Sequence, residues 1–256
     1  FAQYLPGARI VDSDGLVEAG RLIKSTAELA HMRSAADVAA MAMQAGLDAI
    51  EVGVRERDIA AAVYQAQILA GGEYTGLPAF VTSGERSLMV HASWSDRVVG
   101  DGEVVFLEVP GSVNRYHAAH SRVAIAGEPP ELLLKGIEVN SGALQLAKDQ
   151  IKPGVEIAQV FGNVKRAIDE ADVPYSQGRR IAYGIGIAFP PDWGEGHIIS
   201  INADEHREFQ PGMVFHIITT MRLPGVGAIG CSDTVAVTER GSETLTDRVP
   251  IELHRR

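Results

Sequence analysis

Apolar side chains at Leu29, Met32, Ala36, Ala39, Met43, Leu47 and Ile50 recur at three- and four-residue steps, the period of an amphipathic helix. Ser25-Thr26-Ala27-Glu28 precedes them in the S-x-x-E form of a capping box, so the helix is predicted to start there. Gly53 interrupts the pattern. Ile59, Val63, Ala66 and Ala70 then resume it until Gly71-Gly72 stops it. The same grammar returns about a hundred residues later. Pro130 opens a helix with Leu132 to Leu134 and Val139, Ile151 to Val155 breaks it, and Val160, Val164 and Ala167 mark a second helix before Pro174-Tyr175.

Placing Gly53 on Gly154 also places Val54 on Val155, Ile59 on Val160 and Tyr74 on Tyr175. The strand-like runs repeat more loosely. Gly102 to Glu108 answers Gly212 to Ile218, each an apolar run after a turn, and Val123-Ala124-Ile125 answers Ala236-Val237-Thr238. The unit is therefore two helices followed by a strand set, occurring twice. Two such units bury their shared faces by joining their strands in one curved sheet with the helices outside. In this pairing Glu108 and Ile218 occupy equivalent positions, one polar and one apolar.

Composition narrows the classes of partner. The 256 residues are 46% hydrophobic and 22% charged, ordinary for a globular chain able to bury a substantial core. A net charge of -10 argues against nucleic acid and against an anionic membrane surface, both of which reward clustered Lys and Arg. A small-molecule substrate fits better. Cys231 is the single cysteine and has no partner for an intramolecular disulfide, and a reducing cytoplasm is expected. No run of 18 apolar residues exists. The chain begins with Phe1, and residues 1–20 read as the tail of a preceding N-terminal part, with residues 21–256 as the catalytic domain in halves of about 21–127 and 128–256.

Several residues are placed to carry chemistry. Glu108 closes the apolar run Val104 to Leu107, so its carboxyl is expected in a partly desolvated interior, with a raised pKa unless Arg115 or Arg122 pairs with it. Neutral, it donates a proton; ionised, it attacks carbon or activates water. His91 is a neutral imidazole able to accept and return a proton. His117 and His120 would point to opposite faces of a strand, which makes a shared metal doubtful. Trp193 and Glu195 suit a compact cation through ring face and carboxylate. Arg179 and Arg180 match a substrate carboxylate. The Gly184-Ile185-Gly186 segment lacks a third glycine, and prolines stand where a helix should begin, so it is no dinucleotide fingerprint. Cys231 has no neighbouring base and reads as structural.

The stretches 104–122, 182–196, 210–220 and 231–246 resemble the creatinase/methionine aminopeptidase or "pita-bread" family. The resemblance implies an α+β fold in which two pseudo-symmetric ααβ halves form one curved, mostly antiparallel sheet. Metal-binding members hold Asp, Asp, His, Glu and Glu where this chain has Glu108, Ala119, Tyr183, Ile218 and Ser232. One carboxylate among five positions cannot hold two ions, so no metal and no other cofactor is expected. His91 matches the family's catalytic His. The form Tyr183-x-Ile185-Gly186, followed by Pro190-Pro191-Asp192-Trp193-Gly194-Glu195 and joined by the His91-x-x-Trp94 pattern, is similar to the ectoine hydrolase branch. That branch opens a C–N bond without a metal.

The resemblance implies catalysis by His91 and Glu108. Substrate would be held by Trp94, His117, Tyr183, Trp193, Glu195 and Ser232, and the protein would be a homodimer. Two other readings stay open: a creatinase-like or Xaa-Pro dipeptidase-like hydrolase, and a catalytically silent binding module.

Overall fold

A computed structural model describes residues 1, 3–89, 91–174 and 178–256. Val90, and the Tyr175 of the proposed repeat, lie outside the described residues. A short helix α1 (Leu16–Leu22), not foreseen from the pattern, precedes the long α2 (Thr26–Asp48). The capping box forms as the sequence requires: Ser25 Oγ accepts from the Glu28 amide, and the Glu28 carboxylate accepts from the Ser25 amide. After α3 (Glu56–Leu69) come β1 (Phe80–Ser83), a 3-10 turn at Gly84–Leu88, and the long hairpin β2 (Glu103–Val113) and β3 (Tyr116–Ala126).

The second half repeats this with α4 (Glu131–Gln150), α5 (Ile157–Asp169), β4 (Arg180–Gly184), β5 (Ser200–Asn202), β6 (Val214–Ile218) and β9 (Ser232–Val237). A small hairpin of β7 (Met221–Leu223) and β8 (Gly227–Ile229) separates β6 from β9, and β10 (Ser242–Thr244) and β11 (His254–Arg255) follow. The helix breaks after α2 and α4 are chemically the same. Gly53 (φ 94°) and Gly154 (φ 82°) both sit in the left-handed region that side chains disfavour.

Among the described residues the main sheet has nine strands, in the order β1-β2-β3-β9-β6-β4-β5, with β10 on β9 and β11 on β3. Every pairing is antiparallel except β11 with β3. The order reads symmetrically outward from the β3–β9 contact, where Ser121 faces Ser232. On one side Ser121 pairs with Glu108; on the other Ser232 pairs with Ile218. This makes Glu108 and Ile218 true equivalents. It also corrects one alignment: Val123 answers Thr234, not Ala236, a two-residue slip that leaves every side chain on its expected face.

Val105, Leu107 and Val109 of β2 pack with Met43, Leu47, Ile59 and Val63 of α2 and α3. The alternate residues Val104 and Phe106 join the cluster that includes Leu133, Val160 and Val164 of α4 and α5. Each such buried side chain contributes roughly 1.5–3 kcal/mol. Gly111 marks the closest approach of β2 to α2: a Cβ there would lie 1.9 Å from the Ala35 carbonyl oxygen.

Candidate active site

Glu108 follows Val104 and Phe106 on one face of β2, so strand alternation carries it to the same side of the sheet. Its residue is 6% exposed, and among the described residues its carboxyl has neither a hydrogen bond nor a cationic partner. The two arginines considered from the sequence are taken elsewhere: Arg115 meets Glu73 at 3.6 Å and Arg122 meets Asp233 at 2.9 Å. His216 Nδ1 lies 4.0 Å from Glu108 Oε1, but burial pushes that imidazole down to about 3 and keeps it neutral. Desolvation without compensation raises the Glu108 carboxyl to about 8. At neutral pH it is mostly protonated.

Glu108 opens onto a cavity of about 520 Å³, also lined by His91, Tyr183, Arg179, Arg180 and Arg222. The volume suits a small molecule. His91 stacks on Phe80 at a ring separation of 5.2 Å, and Phe80 is the cross-strand neighbour of Glu108. Burial lowers the His91 pKa, with Arg180 and Arg222 adding to the effect against Asp192. The ring is therefore neutral at pH 7 and able to take a proton. Ile218 supplies an apolar wall opposite its carboxylate counterpart.

A buried polar row runs behind this wall. Trp193 Nε1–H donates to Tyr183 Oη at 2.8 Å, and that oxygen also lies 2.8 Å from His216 Nδ1. His216 Nε2 lies 2.7 Å from Ser232 Oγ, so both ring nitrogens are engaged. That oxygen also accepts the Ser121 amide. The Ser121 hydroxyl lies 2.7 Å from the Gly230 carbonyl, to which it donates, and 2.8 Å from Ser232 Oγ. Tyr183, raised above the usual phenol range chiefly by burial, stays a neutral donor.

The structure thus brings His91, Glu108 and Tyr183 to one cavity and stands Trp193 and Ser232 behind it. Trp193 is 1% exposed with its N–H committed to Tyr183, so it positions Tyr183 instead of offering a face to a cation.

Three further expectations for substrate contact are corrected. Both Glu195 oxygens are occupied, by Arg21 at 2.9 Å and by the buried Lys24 at 2.7 Å. His117 is fully buried, accepts the Gly76 amide on Nε2 and contacts the Arg115 carbonyl through Nδ1, anchoring a loop outside the cavity; burial lowers it to about 4. Trp94 packs edge-on against Tyr64 at 5.3 Å and does not line the cavity. His120 points away from His117, toward the Ala39 carbonyl of α2, as strand alternation requires. Cys231 is buried, with its thiol on the Ile251 carbonyl.

Sequence reasoning missed His216 and Arg222. His216 had a signal, being the polar residue of the run Val214 to Ile218 on the same face as Ile218. Arg222 is the middle residue of the short strand β7, between Met221 and Leu223, and had none.

Two-metal chemistry needs several shared carboxylate or imidazole donors. Of the five aligned positions only Glu108 offers one, and the nearby His216 has both nitrogens engaged. Among the described residues no group of three or more His, Cys, Asp or Glu is placed to hold an ion. The residues do not fit a two-metal centre. No helix among them is long and apolar enough to cross a membrane.

Residues 30–239 match the model of metallopeptidase family M24. The chain is 30% identical over 252 residues to an ectoine hydrolase of Halomonas elongata, covering 95% of this chain and 62% of that protein. It is 26% identical over 237 residues to an Xaa-Pro dipeptidase of Pyrococcus furiosus, covering 91% and 65%. Both relatives are thus spanned over less than two thirds of their length. In structure it resembles an X-Pro aminopeptidase of Thermotoga maritima, with a TM-score of 0.89 at 22% identity over all of this chain and 70% of the other, which establishes the shared fold.

Proposed function

The chain belongs to metallopeptidase family M24, and we propose that within it the protein is a metal-independent hydrolase opening a non-peptide C–N bond in a small polar substrate. A cyclic amidine such as ectoine is the best-specified candidate, in keeping with the relative in Halomonas elongata. The observation that carries the reading is Glu108: a buried carboxyl lining a cavity, with neither a pairing partner for it nor a donor set for two ions among the described residues.

An amidinium supplies what Glu108 lacks, a positive charge. Binding displaces the carboxyl proton, and the amidinium carbon is already electrophilic without a Lewis acid. Ionised Glu108 takes a proton from water as the water oxygen bonds to that carbon. Neutral His91 relays the hydroxyl proton of the tetrahedral adduct to the leaving nitrogen while the C–N bond breaks and the carbonyl forms. Glu108 then returns its proton to the product amine, so one water is consumed and an amide and an ammonium result. Tyr183, accepting from the Trp193 N–H and from His216 Nδ1–H, keeps its hydroxyl proton for the reacting group and steadies it. In this reading the protein works as a homodimer in the cytoplasm.

The test incubates the full-length protein, with and without chelator, with ectoine, creatine and Xaa-Pro dipeptides, and identifies products by mass. Ring opening of ectoine that survives chelation is expected. Cleavage of dipeptides alone, and only with metal present, replaces the proposal with the peptidase reading; ligand binding without turnover replaces it with a silent module.

A further inference from the structure

His91 stands on an irregular segment: among the described residues, the chain between β1 and β2 forms only the 3-10 turn at Gly84–Leu88 and an isolated bridge at Val98. Its ring stacks on Phe80, and among the described residues neither ring nitrogen is hydrogen-bonded. Nothing touching the imidazole therefore fixes the direction of its proton transfer. A relay tolerates little freedom of this kind, because reacting atoms must meet at about 3–3.5 Å and a misplacement of about 1 Å can cost about 10²-fold in rate.

The support comes from Glu56, the first residue of α3, which is fully buried and does not line the cavity. Its Oε1 accepts the Ser83 amide at 2.8 Å and the Ser83 hydroxyl at 3.0 Å, where the chain leaves β1. Its Oε2 accepts the Ser95 amide at 3.0 Å and the Ser95 hydroxyl at 2.6 Å, where the chain returns. Arg86 closes the clasp from within the segment: one terminal nitrogen donates to the same Oε2 at 2.7 Å and the other to the Ser93 carbonyl. The backbone of α3 reinforces the return limb. The Glu56 and Arg57 amides, unpaired within the helix because they stand at its start, donate to the Arg97 and Ser95 carbonyls at 3.0 and 3.1 Å. Both ends of the His91 segment, 27 and 39 residues along the chain from Glu56, thus rest on one carboxylate. Five donors converge on an acceptor-only group; a glutamine there keeps one acceptor oxygen and turns its own N–H groups against the donors at the other.

We propose that Glu56 is the positioning residue of His91: by clasping both ends of the segment it holds the imidazole at the cavity without itself touching substrate. The proposal rests on the role given to His91 above.

A double-mutant cycle in the full-length protein tests it, on whichever of ectoine, creatine and Xaa-Pro dipeptides the wild type turns over. Glu56→Gln should lower kcat by about 10- to 100-fold with KM within about threefold of wild type. In a His91→Ala background the same change should lower the residual kcat by less than about twofold, because residues acting as a unit do not add. Ser95→Ala removes one donor from one end and should lower kcat by about 3- to 10-fold, again only where His91 is present. That milder variant carries the cycle if Glu56→Gln does not fold. Amide hydrogen exchange of the peptide 84–95 should quicken in either variant while exchange in β6 and β9 stays at the wild-type rate. Equal losses with and without His91 overturn the role, as do an unchanged kcat, an effect on KM alone, or unchanged exchange in 84–95. No turnover of any of the three substrates by wild type withdraws the hydrolase reading and this role with it, whereas turnover with an additive cycle withdraws this role alone.

Discussion

Replacing Glu108 with Gln keeps the shape of the side chain and removes its ability to ionise, which isolates the electrostatic cost of placing a carboxyl at this point in the sheet. Burial raises that carboxyl from 4.5 to about 8. Below pH 4.5 it is protonated in both folded and unfolded chains and costs nothing. Between 4.5 and 8 the unfolded chain loses the proton while the folded chain keeps it, so stability falls by up to about 1.4 kcal/mol per pH unit. Above pH 8 the loss levels off at about 4–5 kcal/mol, an upper bound because water in the cavity solvates part of the charge. Gln pays none of this.

The Glu108→Gln protein should therefore melt higher than wild type by roughly 5–15 °C at pH 8.5 and show a much smaller gap near pH 4.5. Thermal melts of both proteins from pH 4.5 to 9, without ligand, supply the readout. His91, His216 and every other titrating group are common to the pair, so the pH dependence of the gap belongs to Glu108. A gap that does not grow with pH, or a variant that melts lower at pH 8.5, would refute the claim that this carboxyl is buried without a cation.

Other consequences follow from the same geometry. Binding of ectoine at pH 7 should release close to one proton, because the cation restores the charge of a mostly protonated Glu108; calorimetry in buffers of different ionisation enthalpy measures it, and no release contradicts the pairing. His91→Ala should lower kcat by about 10²- to 10⁴-fold while the melting temperature stays near that of wild type, and unchanged turnover would remove His91 from the mechanism. Tyr183→Phe strands the Trp193 N–H and His216 Nδ1, each worth about 1–3 kcal/mol when buried unpaired, and denaturant unfolding should show the loss. Glu195→Ala leaves buried Lys24 without its partner and should cost about 3–5 kcal/mol, a stability effect that a pure substrate-binding role would not produce.

Local grammar told most of the fold. The capping box at Ser25, the glycine breaks at Gly53 and Gly154, and the apolar runs ending at Glu108 and Ile218 each follow from rules acting within a few residues. Because they repeat, they also gave the symmetry of the sheet. The site was legible where position along a strand decides exposure, as for Glu108 and for the opposed faces of His117 and His120. It was not legible where partners come from far along the chain. Glu195 looked free because Lys24 and Arg21 lie some 170 residues away. Trp193 looked available because nothing local says that its N–H meets Tyr183. The two-residue slip between Val123 and Ala236 came from aligning similar apolar triplets, whereas the backbone pairing of Ser121 with Ser232 sets the register.

The row from Trp193 through Tyr183, His216, Ser232 and Ser121 to the Gly230 carbonyl begins at a group that only donates and ends at one that only accepts. Every hydroxyl and ring nitrogen between them is engaged by its neighbours in the row, and this has a consequence for substitution. A carboxylate at position 232 would bury a charge at a fully enclosed point of the row, and an imidazole at position 183 would have to replace the one hydroxyl that meets both Trp193 and His216. Each single step toward a metal ligand is thus penalised by the neighbours already in place. Installing metal ligands in this row therefore calls for coordinated change at several positions, not for one substitution.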